Sequence, residues 1–373
     1  MNAKVVIAGL LAVACAQTRV APAGGNAFRL EEDERGLWRQ AEEAEARFES
    51  SGIVYLDPAL EAYLDEVAHR IQPPSVFAAI PFRIRVVRNP YLNAFTLPNG
   101  RIYVHSGMLA RMDNEAQLAT LLGHEMTHAT HRHALREWRD LQNHVAWAVG
   151  IDSILPGIGT LAGFSAVRGY SRELETEADD EGMRLIVRAG YDAREAPKLF
   201  ALLEEQLREE NQKEPFFFGT HPALQARIDN YRALIAAQGL TKAGATDSAS
   251  FLSHTRAIVY ENALLDLRAG RFVAAERGAR KFAALDPASP RGPFLLGEIA
   301  RQRSEREWDA ALDDYRRAVA LDAAYPDPYR AMGLILYKRG DKSAARQAFE
   351  KYLSLSPAAS DRGYIESYIG SSK

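Results

Sequence analysis

Apolar residues recur at helical spacing from the start of the charged N-terminal region. Leu37, Ala41, Ala44 and Phe48 fall on one face of an Ala-rich stretch, which predicts a helix over Glu31–Glu49. Leu60, Leu64, Val67 and Ile71 repeat the spacing over Pro58–Ile71, and Pro73-Pro74 ends that helix. The period then changes to two. Phe82–Val87 alternates and is rich in β-branched residues, so it reads as a strand. Asn93–Leu97 and Arg101–His105 flank Pro98-Asn99-Gly100, a turn signal that joins two further strands. Helices mixed with short strands predict an α+β domain.

Further along, Leu118, Ala119, Leu121, Leu122, Met126 and Ala129 mark a mostly buried helix. Residues 145–167 are strongly apolar, but Asp152, Pro156 and several glycines interrupt them. We expect two short helices hinged at Pro156-Gly157, acting as a lid, rather than a membrane span. The C-terminal third repeats. Ala311, Tyr315, Ala318 and Leu321 recur 34 residues on as Ala345, Phe349, Tyr352 and Leu355, the tetratricopeptide period. Gly270, Ala275 and Asp286-Pro287 mark an earlier copy, with two extra residues expected in the turn Arg301–Glu307. An all-α repeat domain of about three copies is expected over residues 252–360, after a linker at 238–251 and before a tail at 361–373.

The buried helix carries chemistry. It contains HExxH as His124-Glu125-Met126-Thr127-His128. Residues four apart share a helix face, so both imidazoles can reach one metal ion, and Glu125 adjoins that face as a candidate base. Nitrogen ligands and an open position for water suit a catalytic zinc, which needs a third protein ligand. Gly169–Met183 offers one. Glu175 and Asp179 are four apart, with Glu173, Glu177, Asp180 and Glu181 as competitors. A carboxylate there that accepts a bond from a ligating imidazole would fix its tautomer. His131 shares the face of His124 but lies too far along the axis to join a tetrahedral site. It and His133 are expected to cap or decorate the helix end. An edge strand beside such a site would dock an extended substrate, and we expect Arg101–His105 to be it, with Arg101, Ile102, Tyr103 and Val104 in contact.

Taken together, LLGHEMTHATHRH and the later SRELETEADDEGM resemble the HtpX/BepA-like family of zinc metallopeptidases, whose signature is HExxH with a downstream ExxxD. The resemblance extends to Asn93-Ala94-Phe95, to Gly100–Val104 with Ser106–Leu109, and to Gly219-Thr220-His221-Pro222 with Arg227-Ile228. It covers roughly residues 30–235, and with the repeats it points to the BepA type. It implies that His124, His128 and Glu175 hold one zinc ion, that Glu125 is the general base and that Asp179 supports a ligand. It also implies that His221 can occupy the fourth zinc position as a switch, with stabilisation of the transition state as the alternative role. Arg227, about two turns into the following helix, would face the cleft and steady the substrate.

Composition changes the picture little. Of 373 residues, 47% are hydrophobic and 25% charged, and the net charge of −3 gives no basic footprint for nucleic acid. The N-terminus is more telling. One lysine and a short apolar run read as a signal peptide over 1–15, ending in a lipobox-like Leu11-Ala12-Val13-Ala14-Cys15. Cys15 is the sole cysteine, so no disulfide forms within the chain. Ala16, rather than Asp, after the cysteine resembles outer-membrane lipoproteins, and small residues over 16–27 read as a tether. The expected function is a zinc endopeptidase of the bacterial envelope, periplasmic and anchored to the outer membrane by lipid on Cys15 or else soluble in the periplasm, acting on misfolded or stalled outer-membrane proteins. Its repeats would capture substrates or outer-membrane assembly machinery. The rival is a chaperone or scaffold with a silent zinc site, against which the intact Glu125 speaks.

Overall fold

The helical spacing described above becomes helix α1 (Glu32–Ser50), whose Leu37, Ala41 and Ala44 are buried. The protein is described by a computed structural model over residues 20–23, 28–144, 170–209 and 224–371. Cys15 and the stretch read as a signal peptide, the apolar 145–167 stretch read as a lid, and His221 lie outside these residues. Two units divide the chain, Met1–Thr255 and Arg256–Lys373.

In the first unit, β1 (Val54–Tyr55) precedes α2 (Pro58–Ile71), which Asp57 caps by accepting bonds from the Ala59 and Leu60 amides. A short helix, α3 (Pro74–Ala79), leads to β2 (Arg83–Val87), β3 (Ala94–Thr96) and β4 (Arg101–His105). Gly100, with φ +82, makes the β3–β4 turn that a side chain would strain. The sheet order is β1-β2-β4-β3. The β2–β4 pair is parallel, and the two outer pairs are antiparallel. Ala41 and Ala44 of α1 pack on Val87, Leu97 and Tyr103, with Phe48 and Phe95 against them.

This order corrects the edge-strand expectation. Strand β4 lies between β2 and β3, so its main chain is paired on both sides. Ile102, Tyr103 and Val104 are fully buried, and Arg101 is engaged with Glu45 and the Pro81 carbonyl. None of the four presents itself to a docking strand. The edge is β3.

After α4 (Ser106–Arg111) comes α5 (Glu115–Thr130), buried along its whole length, then α6 (His133–His144), α7 (Arg172–Arg188), α8 (Glu195–Glu209) and α9 (Leu224–Ala237). Helix α5 packs on α7, α8, α2 and β3.

Two further expectations change. The stretch read as a linker is stitched onto the first unit. Ala245 pairs with Tyr191, and Thr246 O accepts the Glu115 amide at 2.9 Å, at the start of α5. Gly244 permits this, because a Cβ there would overlap the Tyr191 backbone. The stretch read as a tether is docked at its described residues 20–23. The Ala23 amide donates to Thr130 O, at the far end of α5.

The second unit is a stack of helices. Helix α10 (Ser248–Arg268) runs into it and pairs with α11 (Phe272–Leu285). Helices α12 (Arg291–Arg303) and α13 (Trp308–Leu321) form the next pair, and α14 (Asp327–Lys338) and α15 (Lys342–Leu355) the last. The repeat spacing has a steric cause. A Cβ on Gly297 would strike the Tyr315 ring at 2.5 Å, and one on Gly333 the Phe349 ring at 2.5 Å. A 3₁₀ turn at Glu305–Glu307 occupies the stretch expected to hold the extra residues. Leu321 departs from the frame and is exposed. Residues read as a tail form α16 (Arg362–Gly370), whose Ile365 is fully buried with Phe349 and Tyr352.

Candidate metal centre

Helix α5 begins at Asn114, whose Oδ1 accepts the Gln117 amide at 3.0 Å. It presents His124, Glu125 and His128 three turns in, each no more than 2% exposed. Helix α7 crosses it closely, because both helices are glycine at the crossing. A Cβ on Gly182 would lie 3.0 Å from the His124 amide nitrogen, and one on Gly123 3.3 Å from the Gly182 carbonyl. The close approach brings Glu175, one turn into α7, onto the two histidines.

The result is a triangle of donors. His124 Nε2 and His128 Nε2 are 3.0 Å apart, and Glu175 carboxylate oxygens lie 3.5 and 3.4 Å from them. Among the described residues these three form the candidate cation cluster. Zinc bonds of about 2.0–2.1 Å in tetrahedral array put neighbouring donors about 3.3–3.4 Å apart, so the spacing fits the ion. Two buried imidazole nitrogens 3.0 Å apart beside a buried carboxylate are also a donor set that suits a cation between them. His131 stands apart from this cluster, against Thr130 Oγ1 and Glu177. Burial holds its ring below the ordinary imidazole value, with Glu177 pulling the other way.

Each histidine is held from behind. His124 Nδ1 lies 2.9 Å from Asp179 Oδ1. Tyr231 donates its hydroxyl to that oxygen at 2.8 Å, and Arg227 clamps both Asp179 oxygens through Nε and Nη2. This corrects the role read for Arg227. It is 2% exposed, stacked 4.1 Å over the Phe200 ring, and its Nη2 lies 2.8 Å from His124 Nδ1 as well as against Asp179, so it supports the histidine and does not face a substrate. Burial opposes its charge, but Asp179 foremost holds it above the ordinary guanidinium value.

His128 Nδ1 faces His133 Nδ1 at 2.9 Å, and the Tyr170 ring stacks on His128 at 4.1 Å. His133 is fully buried, so it does not decorate the helix end. Burial holds it below the ordinary imidazole value, against the pull of Glu177. Glu125 is held by the β3 edge strand: Thr96 Oγ1 donates to its Oε2 at 2.8 Å and to its main-chain carbonyl at 3.1 Å.

Sequence reading missed Thr96, His133 and Tyr231. Tyr231 had a signal, since it follows Arg227 by four residues on α9 and shares its face. Thr96 and His133 reach the site only through tertiary structure.

Residues 58–235 match Peptidase family M48, and residues 296–370 match the tetratricopeptide repeat. The chain is 30% identical over 190 residues to the beta-barrel assembly-enhancing protease of Escherichia coli (strain K12), covering 47% of this chain and 39% of that protein. It is 34% identical over 207 residues to the mitochondrial metalloendopeptidase OMA1 of Danio rerio, covering 50% and 43%. The chain thus spans about two fifths of the length of these relatives. Among solved structures, the MamA protein aligns at a TM-score of 0.29 and 21% identity over 48% of this chain and 81% of that one.

Proposed function

We propose that this chain, whose residues 58–235 match Peptidase family M48 and whose residues 296–370 match the tetratricopeptide repeat, is a zinc metalloendopeptidase of the bacterial envelope that acts on misfolded or stalled outer-membrane proteins. The observation that carries the reading is the buried triangle of His124, His128 and Glu175 with Glu125 beside it. Zinc, when bound, supplies a Lewis acid and lowers the pKa of a water toward neutrality. The chain's own residues do the rest. Glu125 takes the proton of the attacking water on its carboxylate and returns it to the leaving amine. Thr96 keeps that carboxylate turned to the β3 edge, where an extended substrate adds a strand. Asp179, itself fixed by Arg227 and Tyr231, keeps His124 in the tautomer that leaves Nε2 for the metal.

The substrate class draws on the likeness to the E. coli beta-barrel assembly-enhancing protease, and the capture role on the repeats. The envelope location draws on the apolar Met1–Ala14 and on Cys15 as a lipid-anchor candidate. No helix among the described residues is long and apolar enough to cross a membrane.

Glu125→Gln tests the reading. It keeps the size of the side chain and removes the base. Metal analysis should return one zinc per chain, while cleavage of an unfolded outer-membrane protein falls by ~10²–10⁴-fold or more. Cleavage by Glu125→Gln at the wild-type rate would sink the proposal.

A further inference from the structure

The two histidines of the triangle are supported by different chemistry. Asp179 stands behind His124, and a second imidazole, His133, stands behind His128. An imidazole has two nitrogens, and the partner of one decides what the other can do. For His128, Nδ1 is 2.9 Å from His133 Nδ1, while Nε2 is 3.0 Å from His124 Nε2 and 3.4 Å from Glu175. Only the tautomer with hydrogen on Nδ1 leaves the Nε2 lone pair aimed at the centre of the triangle. That hydrogen needs an acceptor, and His133 Nδ1 is in place for it.

Chain geometry puts His133 there. Five residues after His128, it would sit off that face if α5 continued. Instead α5 ends at Thr130, and Arg132 adopts φ 57, the left-handed region that a bulky residue rarely visits. Glu34 and the Ala21 carbonyl hold Arg132 in that conformation. The turn starts α6 at His133 and brings its ring edge-on to His128, with centroids 5.0 Å apart at 75°. The other nitrogen of His133 points to Glu177 of α7, 3.6 Å away, and Arg136 donates to Glu177 at 2.8 Å.

We infer that His133 is a positioning residue for the metal centre: its Nδ1 accepts the Nδ1–H of His128 and locks that ring with Nε2 toward the metal. The inference rests on the zinc-site reading above. His133 contacts neither metal nor substrate, so its effect appears in metal affinity and ligand geometry.

The test is zinc affinity of the full chain, by competition with a chromogenic chelator, for wild type, His133→Leu and His133→Asn. Leucine fills the space without an acceptor, and asparagine restores an amide oxygen near the Nδ1 position. His133→Leu should weaken zinc binding ~10–100-fold, as loss of a ligand's hydrogen-bond partner does. His133→Asn should recover most of it. Cobalt substituted for zinc should show an altered visible spectrum in the leucine variant and a near-native one in the asparagine variant. Zinc affinity in His133→Leu close to wild type overturns the inference, as does an asparagine variant as weak as the leucine one. Wild type that binds no zinc overturns the zinc-site reading itself. If His133→Leu does not fold, ¹⁵N shifts of His128 in the zinc-loaded wild type decide: a protonated Nδ1 supports the inference, and a metal-bound Nδ1 overturns it.

Discussion

His105 ends the buried strand β4, and its ring carries a cost that depends on pH. It is 9% exposed, and its Nδ1 meets the Tyr91 carbonyl at 3.1 Å. Burial pushes it down to about 4 from an ordinary 6.5, despite the opposing pull of that carbonyl. A depressed histidine means that the unfolded chain takes up a proton near pH 6.5 and the folded chain only near 4. Its contribution is therefore intact above pH 6.5 and is lost as pH falls through the window to 4, by up to about 3 kcal/mol. His105→Asn, which keeps a donor for Tyr91 and cannot titrate, should lose less stability across that window. Urea unfolding at pH 7 and pH 4.5, with chelator present throughout, measures the difference. Parallel losses in the two proteins would show that His105 does not carry the effect.

At the scale of elements, the centre depends on how closely α5 and α7 cross. Gly182→Ala would press a methyl group to 3.0 Å from the His124 amide nitrogen, where backbone and not a mobile side chain must give way. The expected cost is about 1–3 kcal/mol, typical of overpacking, with a fall in zinc affinity as Glu175 moves off the histidines. Gly36→Ala, in open space on α1, should instead be neutral or stabilise by about 0.5–1 kcal/mol. Urea titration and chelator competition on both variants check this, and Gly182→Ala with native zinc affinity would remove the crossing from the argument. The sequence made the elements legible, because spacing of 3.6 and 2 survives in Leu60–Ile71 and Phe82–Val87. It also carried His124, Glu125 and His128, which one helix places by itself. The strand order was not legible in the same way. A hairpin presents two equivalent edges until a third strand chooses one, and β2 chose β4. The consecutive apolar Ile102, Tyr103 and Val104 were the available signal, since a strand covered on both faces need not alternate. His133 was hidden for another reason: its approach to His128 depends on a left-handed Arg132, which no periodicity reports.

At the scale of the whole molecule, each unit has clusters of its own. The repeats close theirs around Tyr315 and Phe349, and among the described residues the metal candidates belong to the first unit. A ligand that binds only the folded form stabilises what it binds, by about 4 kcal/mol at a thousandfold excess over its dissociation constant. In a unit of this size each kcal/mol moves the midpoint by roughly 2–4 °C, so chelation should lower the melting of the first unit by roughly 8–16 °C. The helical repeats hold no part of the site and should melt at the same temperature with or without zinc. Calorimetry of the full chain with zinc and with chelator should therefore show two transitions, of which one moves. Reading the sequence supports the same division, because the HExxH helix and the 34-residue period are independent signals in separate stretches. Helix α10 runs unbroken from Ser248 across the boundary at Thr255, and it is the element through which a shift could spread. If both transitions move together on chelation, the repeats are coupled to the metal site through the chain, and independent units are the wrong description.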